Sequence, residues 1–241
     1  MSLPVAILAG GLATRLRPLT ERIPKSLIEV AGKSFAVHQI ELLKANGLTR
    51  IVFCVGHMGE KVQAELGDGR YWGVKLEYVF DGPRLLGTGG ALRRALPFLG
   101  SAFFVLYGDS YLECYYAEIE HSFALSGKQG LMTLFRNENK WDRSNVAFAN
   151  GSILRYDKHC PTRDMRHIDY GLGVLKASVF TEYPQDFLLD LTTIYQYLLK
   201  QGELFGYEVA DRFYEIGSIG GLQETRDYLS MKSKPTINPT R

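Results

Sequence analysis

Short apolar runs alternate along this chain with longer segments in which apolar positions recur every three or four residues. The runs predict strands, and the longer segments predict helices that bury one face. In the first half the predicted strands are 5–8, 50–55, 76–79 and 102–107. The predicted helices are 35–45, 60–66 and 91–96, the last stopped by Pro97. This alternation predicts an α/β fold, a Rossmann-like three-layer α/β/α arrangement around a mostly parallel mixed sheet.

The second half has a less regular pattern. Asn150-Gly151 lies between two apolar runs, which predicts a β-hairpin with a type I′ turn. The other predicted elements are strands 130–135, 170–175 and 204–209 and helices 191–199 and 221–229. A hairpin-containing part that follows a parallel half is expected to hold a second substrate. The polar, proline-containing residues 231–241 are expected to form a flexible tail.

Composition and charge narrow the class of protein. The chain has 241 residues, 46% of them hydrophobic, which is enough for one large α/β domain. A net charge of +2 argues against a nucleic-acid or membrane-surface role. The apolar runs are shorter than the ~18 residues of a membrane span. The three cysteines form no Cys-x-x-Cys pair, so we expect reduced thiols in a cytoplasmic protein.

The segment most informative about function follows the first predicted strand. The chain turns through Gly10 and Gly11 and then presents Arg15, Arg17 and Lys25. Glycine backbone lets N–H groups approach an anion, and basic side chains complete a phosphate site. The spacing matches neither the Gly-x-Gly-x-x-Gly loop nor the P-loop. A glycine turn flanked by solvated basic residues is the alternative, and Arg17 fits a surface salt bridge equally well.

This loop resembles the signature of a known family. The run Leu8 to Thr20, followed by Pro24-Lys25-Ser26-Leu27, is similar to that of the sugar-1-phosphate nucleotidyltransferases, also called nucleotide-sugar pyrophosphorylases. The family usually has glycine at the place of Ala13, which predicts a negative φ there and a slightly different loop. The resemblance implies the short bacterial type of this enzyme, acting in nucleotide-sugar and polysaccharide biosynthesis.

The resemblance implies a nucleotide site in the first half. A second motif, Leu86-Gly87-Thr88-Gly89-Gly90, matches the family segment whose backbone reads the nucleobase, and Asp81 fits a nearby acidic position. Arg15 and Lys25 are the expected catalytic cations, with Arg15 reaching the triphosphate and Lys25 stabilising charge at the α-phosphate. The full set of expected nucleotide-binding residues is Leu8, Ala9, Gly10, Gly11, Asp81, Gly87 and Thr88.

Two carboxylates are the expected ligands of Mg²⁺. Asp109 follows the buried strand 102–107 across Gly108, where ligands bind beyond the carboxyl ends of parallel strands. The Gly108-Asp109 pair matches the family motif, so Asp109 is expected to be catalytic and the principal metal ligand. An aspartate that only starts a turn is the alternative. Glu215 stands where the family has a second metal-binding aspartate, and its extra methylene changes the geometry available to Mg²⁺.

The sugar-phosphate site is expected in the second half. Lys158 stands where the family often has Glu-Lys-Pro, although His159 replaces the proline. Asp169, Tyr170 and Gly171 occupy the place of the family's Asn-Ala-Gly before a strand. The two side chains are expected to bond sugar hydroxyls, and the glycine permits close approach. A turn residue at the strand end is the alternative for Asp169.

These observations predict a single nucleotidyltransferase domain over residues 1–230. Its nucleotide-binding part covers about 1–135, and its sugar-phosphate-binding part covers 136–230. The expected reaction joins a nucleoside triphosphate and a sugar 1-phosphate into a nucleotide sugar and releases pyrophosphate, with guanine and a heptose or hexose favoured. The alternatives are a non-catalytic nucleotide-sugar-binding regulatory protein of the same fold and a phosphocholine cytidylyltransferase. The protein is expected to be a monomer or homodimer.

Overall fold

The fold is built on one mixed sheet. The structure, a computed structural model, describes residues 2–232. The strands are β1 (Val5–Ala9), β2 (Glu29–Val30), β3 (Lys33–Ser34), β4 (Arg50–Val55), β5 (Lys75–Phe80), β6 (Ala102–Tyr107), β7 (Ser110–Tyr111), β8 (Gly130–Arg136), β9 (Val146–Ala149), β10 (Ser152–Tyr156), β11 (His167–Lys176), β12 (Leu204–Val209) and β13 (Tyr214–Glu215). The helices are α1 (Phe35–Ala45), α2 (Gly59–Leu66), α3 (Gly87–Leu99), α4 (Tyr116–Ser126), α5 (Leu191–Lys200) and α6 (Ile219–Lys232).

The main sheet has the strand order β5-β4-β1-β6-β11-β8-β12. Only β11 runs antiparallel to its two neighbours in this series, so the sheet is mixed but mostly parallel, as predicted. The hairpin β9–β10 joins the sheet where β9 pairs with the start of β11. Its turn residues Asn150 and Gly151 both have positive φ, which confirms the type I′ turn.

Helices cover both faces of the sheet and form a three-layer core. Alternate residues of β1 point to opposite faces: Val5 and Ile7 pack with α1, α2 and α4, whereas Ala6 packs with α3 and α5. These β1 residues are fully buried, which explains the continuous apolar run in the sequence. A third cluster packs α6 against the loop after β1 and against β7, so the last described helix lies beside the first loop.

Three helices of the structure depart from the predictions. Helix α3 begins at Gly87 rather than 91 and continues past Pro97 to Leu99. Pro97 lies in the last turn, so its missing N–H removes one helical hydrogen bond, and the helix ends two residues later. Helix α4 was not predicted. Helix α6 extends to Lys232, through the first two residues of the predicted tail, and the remainder of that tail lies outside the described residues.

No helix within residues 2–232 is long and apolar enough to cross a bilayer.

Candidate active site

The carboxyl ends of β1, β4 and β6 open into a cleft that we call the first cavity. It has a volume of about 260 Å³. All seven residues that the sequence predicted to bind a nucleotide line it, together with Lys25 and Asp109. Its lining residues are Leu8, Ala9, Gly10, Gly11, Lys25, Ser26, Cys54, Asp81, Leu85, Gly87, Thr88, Ala91, Tyr107, Gly108 and Asp109. The predicted nucleotide residues are therefore brought together in space.

Glycines let three strand ends approach one another at the floor of this cavity. A Cβ on Gly56 would lie 2.7 Å from the carbonyl oxygen of Gly10, and one on Gly108 would lie 2.7 Å from that of Leu8. Real Cβ atoms do not come so close, so larger residues would push the strand ends apart. Gly56 was not singled out from the sequence, because a lone glycine after a strand looks like an ordinary turn residue.

The loop after β1 contains a strained residue. Ala13 has φ 48° and ψ 40°, in the left-handed region, which corrects the prediction of a negative φ. The loop therefore keeps the backbone shape that glycine would favour, although a methyl group there costs about 1–2 kcal/mol. Two bonds to its carbonyl hold this conformation, one from the Thr20 hydroxyl at 2.8 Å and one from the Leu16 N–H at 3.1 Å.

The start of α3 lines the first cavity, and a distant loop fixes its conformation. The carbonyl of Leu189 accepts hydrogen bonds from the N–H groups of Gly89 and Gly90, at 2.8 and 3.1 Å. The Thr88 hydroxyl accepts a bond from the Leu191 N–H at 2.7 Å. The N–H groups of Gly87 and Thr88 have no intrahelical partner at a helix start. They are therefore suited to bind a ligand in the cavity.

Asp81 places a buried carboxylate in the same cavity. Its Oδ2 accepts a hydrogen bond from the Leu86 N–H at 3.2 Å, and the residue is only 5% exposed. Burial raises the pKa of the Asp81 carboxyl, and the Leu86 N–H and the positive charge of Arg94 oppose that rise. The result is a hydrogen-bond acceptor in an otherwise apolar part of the cleft.

Lys25 and Asp109 form an ion pair at the mouth of the cleft. The Lys25 Nζ lies 2.6 Å from Asp109 Oδ2, and both side chains are mostly buried. Lys25 sits on a short 3-10 turn after Pro24, which brings it across from the end of β6. Arg17 is exposed, lines neither the first cavity nor the one described next, and forms no ion pair with any residue of the described chain.

A second cavity, of about 360 Å³, adjoins the first. It contains every residue predicted to bind the sugar phosphate, and also Arg15 and both predicted metal ligands. The two cavities share Tyr107 and Asp109. The lining residues are Arg15, Tyr107, Asp109, Ser110, Asp142, Arg143, Asn145, Lys158, Ile168, Asp169, Tyr170, Gly171, Phe213 and Glu215. Arg15 thus lies on the second cavity, whereas Lys25 lies on the first.

Lys158 and Asp169 form the most extensive polar network of the second cavity. The Lys158 Nζ lies 2.9 Å from Asp169 Oδ2 and 3.1 Å from the Tyr107 hydroxyl, and the Tyr156 hydroxyl donates to Asp169 at 3.1 Å. Burial lowers the pKa of Lys158, but the Asp169 carboxylate and the neighbouring phenols raise it more, so the net pKa lies well above its usual value. Lys158 therefore remains a cation.

The Asp169–Gly171 segment borders the second cavity, and its predicted contacts with a sugar stay predictions. The Asp169 side chain is 3% exposed, and its carboxylate is already bonded to Lys158, Tyr156 and the Gly171 N–H. The Tyr170 ring packs against Phe213, and its hydroxyl is buried without a hydrogen-bond partner in the described chain. Gly171 has φ 96°, a conformation that favours glycine, and a Cβ there would lie 3.2 Å from the Ser110 hydroxyl oxygen.

The two predicted metal ligands lie beside each other where β13 pairs with β7, Asp109 immediately before β7 and Glu215 in β13. Glu215 of β13 is opposite Ser110 of β7, and the Ile216 N–H donates to the Asp109 carbonyl at 2.9 Å. A Cβ on Gly217 would be 2.5 Å from Glu215 Oε2 and 3.1 Å from Asp109 Oδ2. The two carboxylates therefore flank one small space that only a glycine leaves open.

Glu215 also caps α6. Its carboxylate accepts bonds from the Gly217 N–H and, at 2.7 Å, from the Ser218 hydroxyl, which in turn accepts from the Gly221 N–H at 2.9 Å. Mg²⁺ commonly takes one or two carboxylates and completes its oxygen shell with phosphates and water. Within residues 2–232 no group of three or more His, Cys, Asp or Glu could hold a metal. Asp109 and Glu215 fit an ion that arrives with phosphates.

Several residues that line the two cavities were not among the predicted catalytic or binding residues. Ser26 lines the first cavity with a buried hydroxyl that has no hydrogen-bond partner in the described chain. Tyr107 borders both cavities. Asn145 lines the second, and its amide oxygen accepts the Asp169 N–H at 2.9 Å. Ser26 lies in the short 3-10 turn 25–27. Tyr107 and Asn145 lie at strand ends, and the neighbours of these two residues depend on how β11 and the hairpin pair.

A model of the nucleotidyl transferase family matches residues 5–144. Because this match covers more than half of the chain, the chain belongs to the nucleotidyl transferase family, as the resemblance of its first loop predicted.

Curated relatives include sugar-phosphate transferases of different specificity. A mannose-1-phosphate guanyltransferase of Aspergillus oryzae is 28% identical over 93% of this chain and 62% of its own length. An N-acetylmuramate alpha-1-phosphate uridylyltransferase of Neisseria meningitidis is 40% identical over 43% of this chain and 45% of its own length. The chain thus spans between about half and three-fifths of the length of these two relatives.

Solved structures share the whole fold. A Bacillus anthracis protein described as a glucose-1-phosphate thymidylyltransferase superposes with a TM-score of 0.84 at 23% identity, covering 100% of this chain and 98% of that one. HddC of Yersinia pseudotuberculosis, complexed with GMP-PN, gives a TM-score of 0.79 at 21% identity, covering 95% and 100%. At these identities the likeness establishes the predicted nucleotide-diphospho-sugar transferase-like fold and nothing finer.

Proposed function

We propose that this chain transfers a nucleotidyl group from a nucleoside triphosphate to a sugar 1-phosphate. The observation that carries this proposal is the meeting of two cavities at Asp109. The first is apolar and glycine-rich, as suits a base and a phosphate chain. The second is lined by cations, carboxylates and amides, as suits a sugar phosphate. This division agrees with a nucleotide-binding part of about 1–135 and a sugar-phosphate-binding part of 136–230.

The proposed reaction is a displacement at phosphorus. An oxygen of the sugar 1-phosphate attacks the α-phosphorus, a new P–O bond forms, and the bond from the α-phosphorus to the bridging oxygen breaks as pyrophosphate leaves. The attacking oxygen is already anionic, so no side chain has to remove a proton. The barrier comes from repulsion between two polyanions and from their alignment, so fixed positive charge supplies most of the catalysis.

The cations of the site divide this work. Lys25, held at the mouth of the first cavity, is positioned to stabilise charge at the α-phosphate. Arg15 and Lys158, on the second cavity, bind phosphate oxygens of the two substrates. Asp109 and Glu215 would hold Mg²⁺, which when bound neutralises phosphate charge. Asp169 orients Lys158, so in this proposal it acts on the sugar phosphate through that lysine.

Asp81 supports guanine as the base. An ionised carboxylate only accepts hydrogen bonds. Guanine presents two adjacent donors, N1–H and the 2-amino group, whereas uracil and thymine present one donor between two carbonyl acceptors that a carboxylate repels. The N–H groups of Gly87 and Thr88 are available for the acceptor O6. The guanyltransferase names of several relatives and the GMP-PN complex of HddC agree with this preference.

The test is a substrate panel with Mg²⁺. The four common ribonucleoside triphosphates and dTTP are each combined with heptose, mannose, glucose and N-acetylmuramic acid 1-phosphates and with phosphocholine, and products are identified by mass spectrometry. We expect GTP and a heptose or hexose 1-phosphate to give a GDP-sugar. We place this proposed activity in the cytoplasm. Binding of nucleotide sugars without turnover would favour a regulatory protein. Turnover of CTP with phosphocholine would favour the cytidylyltransferase.

A further inference from the structure

The carboxylate at the meeting point of the cavities stands on a turn. Asp109 lies between the end of β6 and the start of β7, in the tight segment Gly108–Ser110. Two backbone bonds anchor this turn: the Gly108 N–H donates to the Leu8 carbonyl at 3.0 Å, and the Asp109 carbonyl accepts the Ile216 N–H at 2.9 Å. Neither bond holds the carbonyls of Tyr107 and Ser110 on the two sides of the turn. A shift of either carbonyl would move the Asp109 carboxylate, and Mg²⁺ demands near-ideal octahedral geometry.

Gln39 of α1 holds both sides of this turn with one amide group. Its Nε2 donates to the carbonyl of Tyr107 at 3.0 Å and to the carbonyl of Ser110 at 2.8 Å. These two carbonyls flank Gly108 and Asp109. Gln39 is 1% exposed, so water does not compete for either bond.

The orientation of this amide follows from its partners. Both partners are acceptors, so a reversed amide would set its oxygen against two carbonyls. With the NH₂ group on the turn, Oε1 is buried and has no hydrogen-bond partner in the described chain. An unsatisfied buried oxygen destabilises a fold, and an apolar side chain of the same length would fill the space without that cost. What the amide contributes is the fixed shape of the turn.

We propose that Gln39 is a positioning residue that fixes the Asp109 carboxylate for metal binding. Gln39 touches neither substrate nor ion, and it acts by holding the Tyr107 and Ser110 carbonyls at one separation. The metal-binding part of this proposal rests on the proposed function, in which Asp109 holds Mg²⁺. Partners that orient a metal ligand typically change metal affinity or activity by about 10–100-fold when they are removed.

The test uses Gln39→Met, which preserves length and volume but donates no hydrogen bond. The matched control is His38→Met on the same helix. His38 is buried, and within residues 2–232 its ring bonds only the Val30 carbonyl, at 2.6 Å, away from the turn. Thermal unfolding establishes that both variants are folded. If Gln39→Met does not fold, Gln39→Leu replaces it, since leucine also donates no hydrogen bond. Two readouts follow: hydrogen exchange of segment 107–111 in the free protein, and binding of Mn²⁺ with GTP by electron paramagnetic resonance.

We expect Gln39→Met to speed exchange of segment 107–111 and to weaken Mn²⁺ binding about 10–100-fold, while His38→Met changes neither. Unchanged exchange and unchanged Mn²⁺ affinity in Gln39→Met would overturn the proposal, as would an equal loss in both variants. Absence of Mn²⁺ binding by the wild type would overturn the metal-binding part of both proposals. Turnover of the substrate panel by the wild type is measured separately. It distinguishes the two kinds of failure, because the proposed function fails if the wild type turns over no pair, whereas this inference fails if the wild type is active and Gln39→Met behaves like the wild type.

Discussion

At the scale of single residues, the two principal cations of the first loop occupy different places. Lys25 contacts Asp109 on the first cavity, while Arg15 reaches the second. Sequence spacing alone could not separate them, because both follow the same glycines, and both lie within residues 12–25. Their separation is produced by the short 3-10 turns that fold the loop back on the sheet. In the proposed reaction each cation therefore meets a different phosphate.

Lys25→Ala is predicted to remove turnover and to spare nucleotide binding. One well-placed donor of this kind is worth about 10²–10³ in kcat, because it binds charge that develops only in the transition state. Steady-state kinetics and calorimetric titration with the triphosphate measure the two effects. Lys33→Ala is the control, since Lys33 is half-exposed and pairs with Glu41 away from the cavities. Near-wild-type turnover in Lys25→Ala would mean that the role belongs to another cation.

Asp81→Asn is predicted to reduce the preference for GTP over the other triphosphates. An asparagine keeps the acceptor for the Leu86 N–H but presents an NH₂ group to the donors of guanine. A hydrogen bond to a charged group is worth about 1.5–3 kcal/mol, so kcat/KM for GTP should fall roughly tenfold or more relative to the other triphosphates. Competition assays with pairs of triphosphates measure the ratio. An unchanged ratio would assign base recognition to other groups.

The same substitution has a predicted pH signature in the free protein. Burial raises the folded-state pKa of the Asp81 carboxyl. Above that pKa the ionised carboxyl therefore destabilises the folded state. Below the unfolded-state pKa the carboxyl is protonated in the folded and the unfolded protein alike, and this destabilisation is absent. Asp81→Asn should therefore raise the free energy of unfolding more at pH 7 than at pH 4, as measured by urea denaturation. Asp227→Asn, at an exposed position of α6, is the control and should show no such trend. A gain that is independent of pH would contradict this reasoning.

At the scale of elements, much of the fold could be predicted from the sequence. The bounds of α1, β4, β6 and β12 match the predicted ranges, because their buried faces leave a continuous or periodic apolar pattern. The start of α3 could not be predicted, because the glycines of segment Gly87–Gly90 disfavour a helix. The helix is stabilised there by hydrogen bonds to the Leu189 carbonyl from a distant loop. Helix α4 was missed because its buried positions, Tyr116, Ile119 and Phe123, are residues typical of strands.

The loop after β1 gives a prediction at this scale. Ala13→Gly should raise the free energy of unfolding by on the order of 1 kcal/mol. Glycine relieves the strain of the left-handed conformation, and the extra entropy that it gives the unfolded chain cancels only part of that gain. Chemical denaturation measures the change. Ala31→Gly is a matched comparison: Ala31 also has φ 48° but lies in the β2–β3 turn. A loss of stability in Ala13→Gly would show that the methyl group makes contacts worth more than the strain.

At the scale of the whole molecule, the site joins segments from both halves of the chain. The clustering of the residues proposed to bind the nucleotide was predictable because they follow parallel strands, whose ends meet at one edge of a sheet. The residues of the second cavity were less predictable. Lys158 and Asp169 meet through β10 and β11, and Glu215 reaches Asp109 through the pairing of β13 with β7. Such long-range pairings leave no periodic pattern in the sequence.

The meeting of two substrate cavities at Asp109 makes one central prediction, that pyrophosphate leaves only when both substrates are bound. The direct measurement is the initial rate of pyrophosphate release with Mg²⁺ and GTP alone, with a heptose or hexose 1-phosphate alone, and with the two together. We expect release only from the complete mixture, with one GDP-sugar formed per pyrophosphate. Equal release from GTP alone, or none from any pair in the substrate panel, would contradict nucleotidyl transfer between the two cavities.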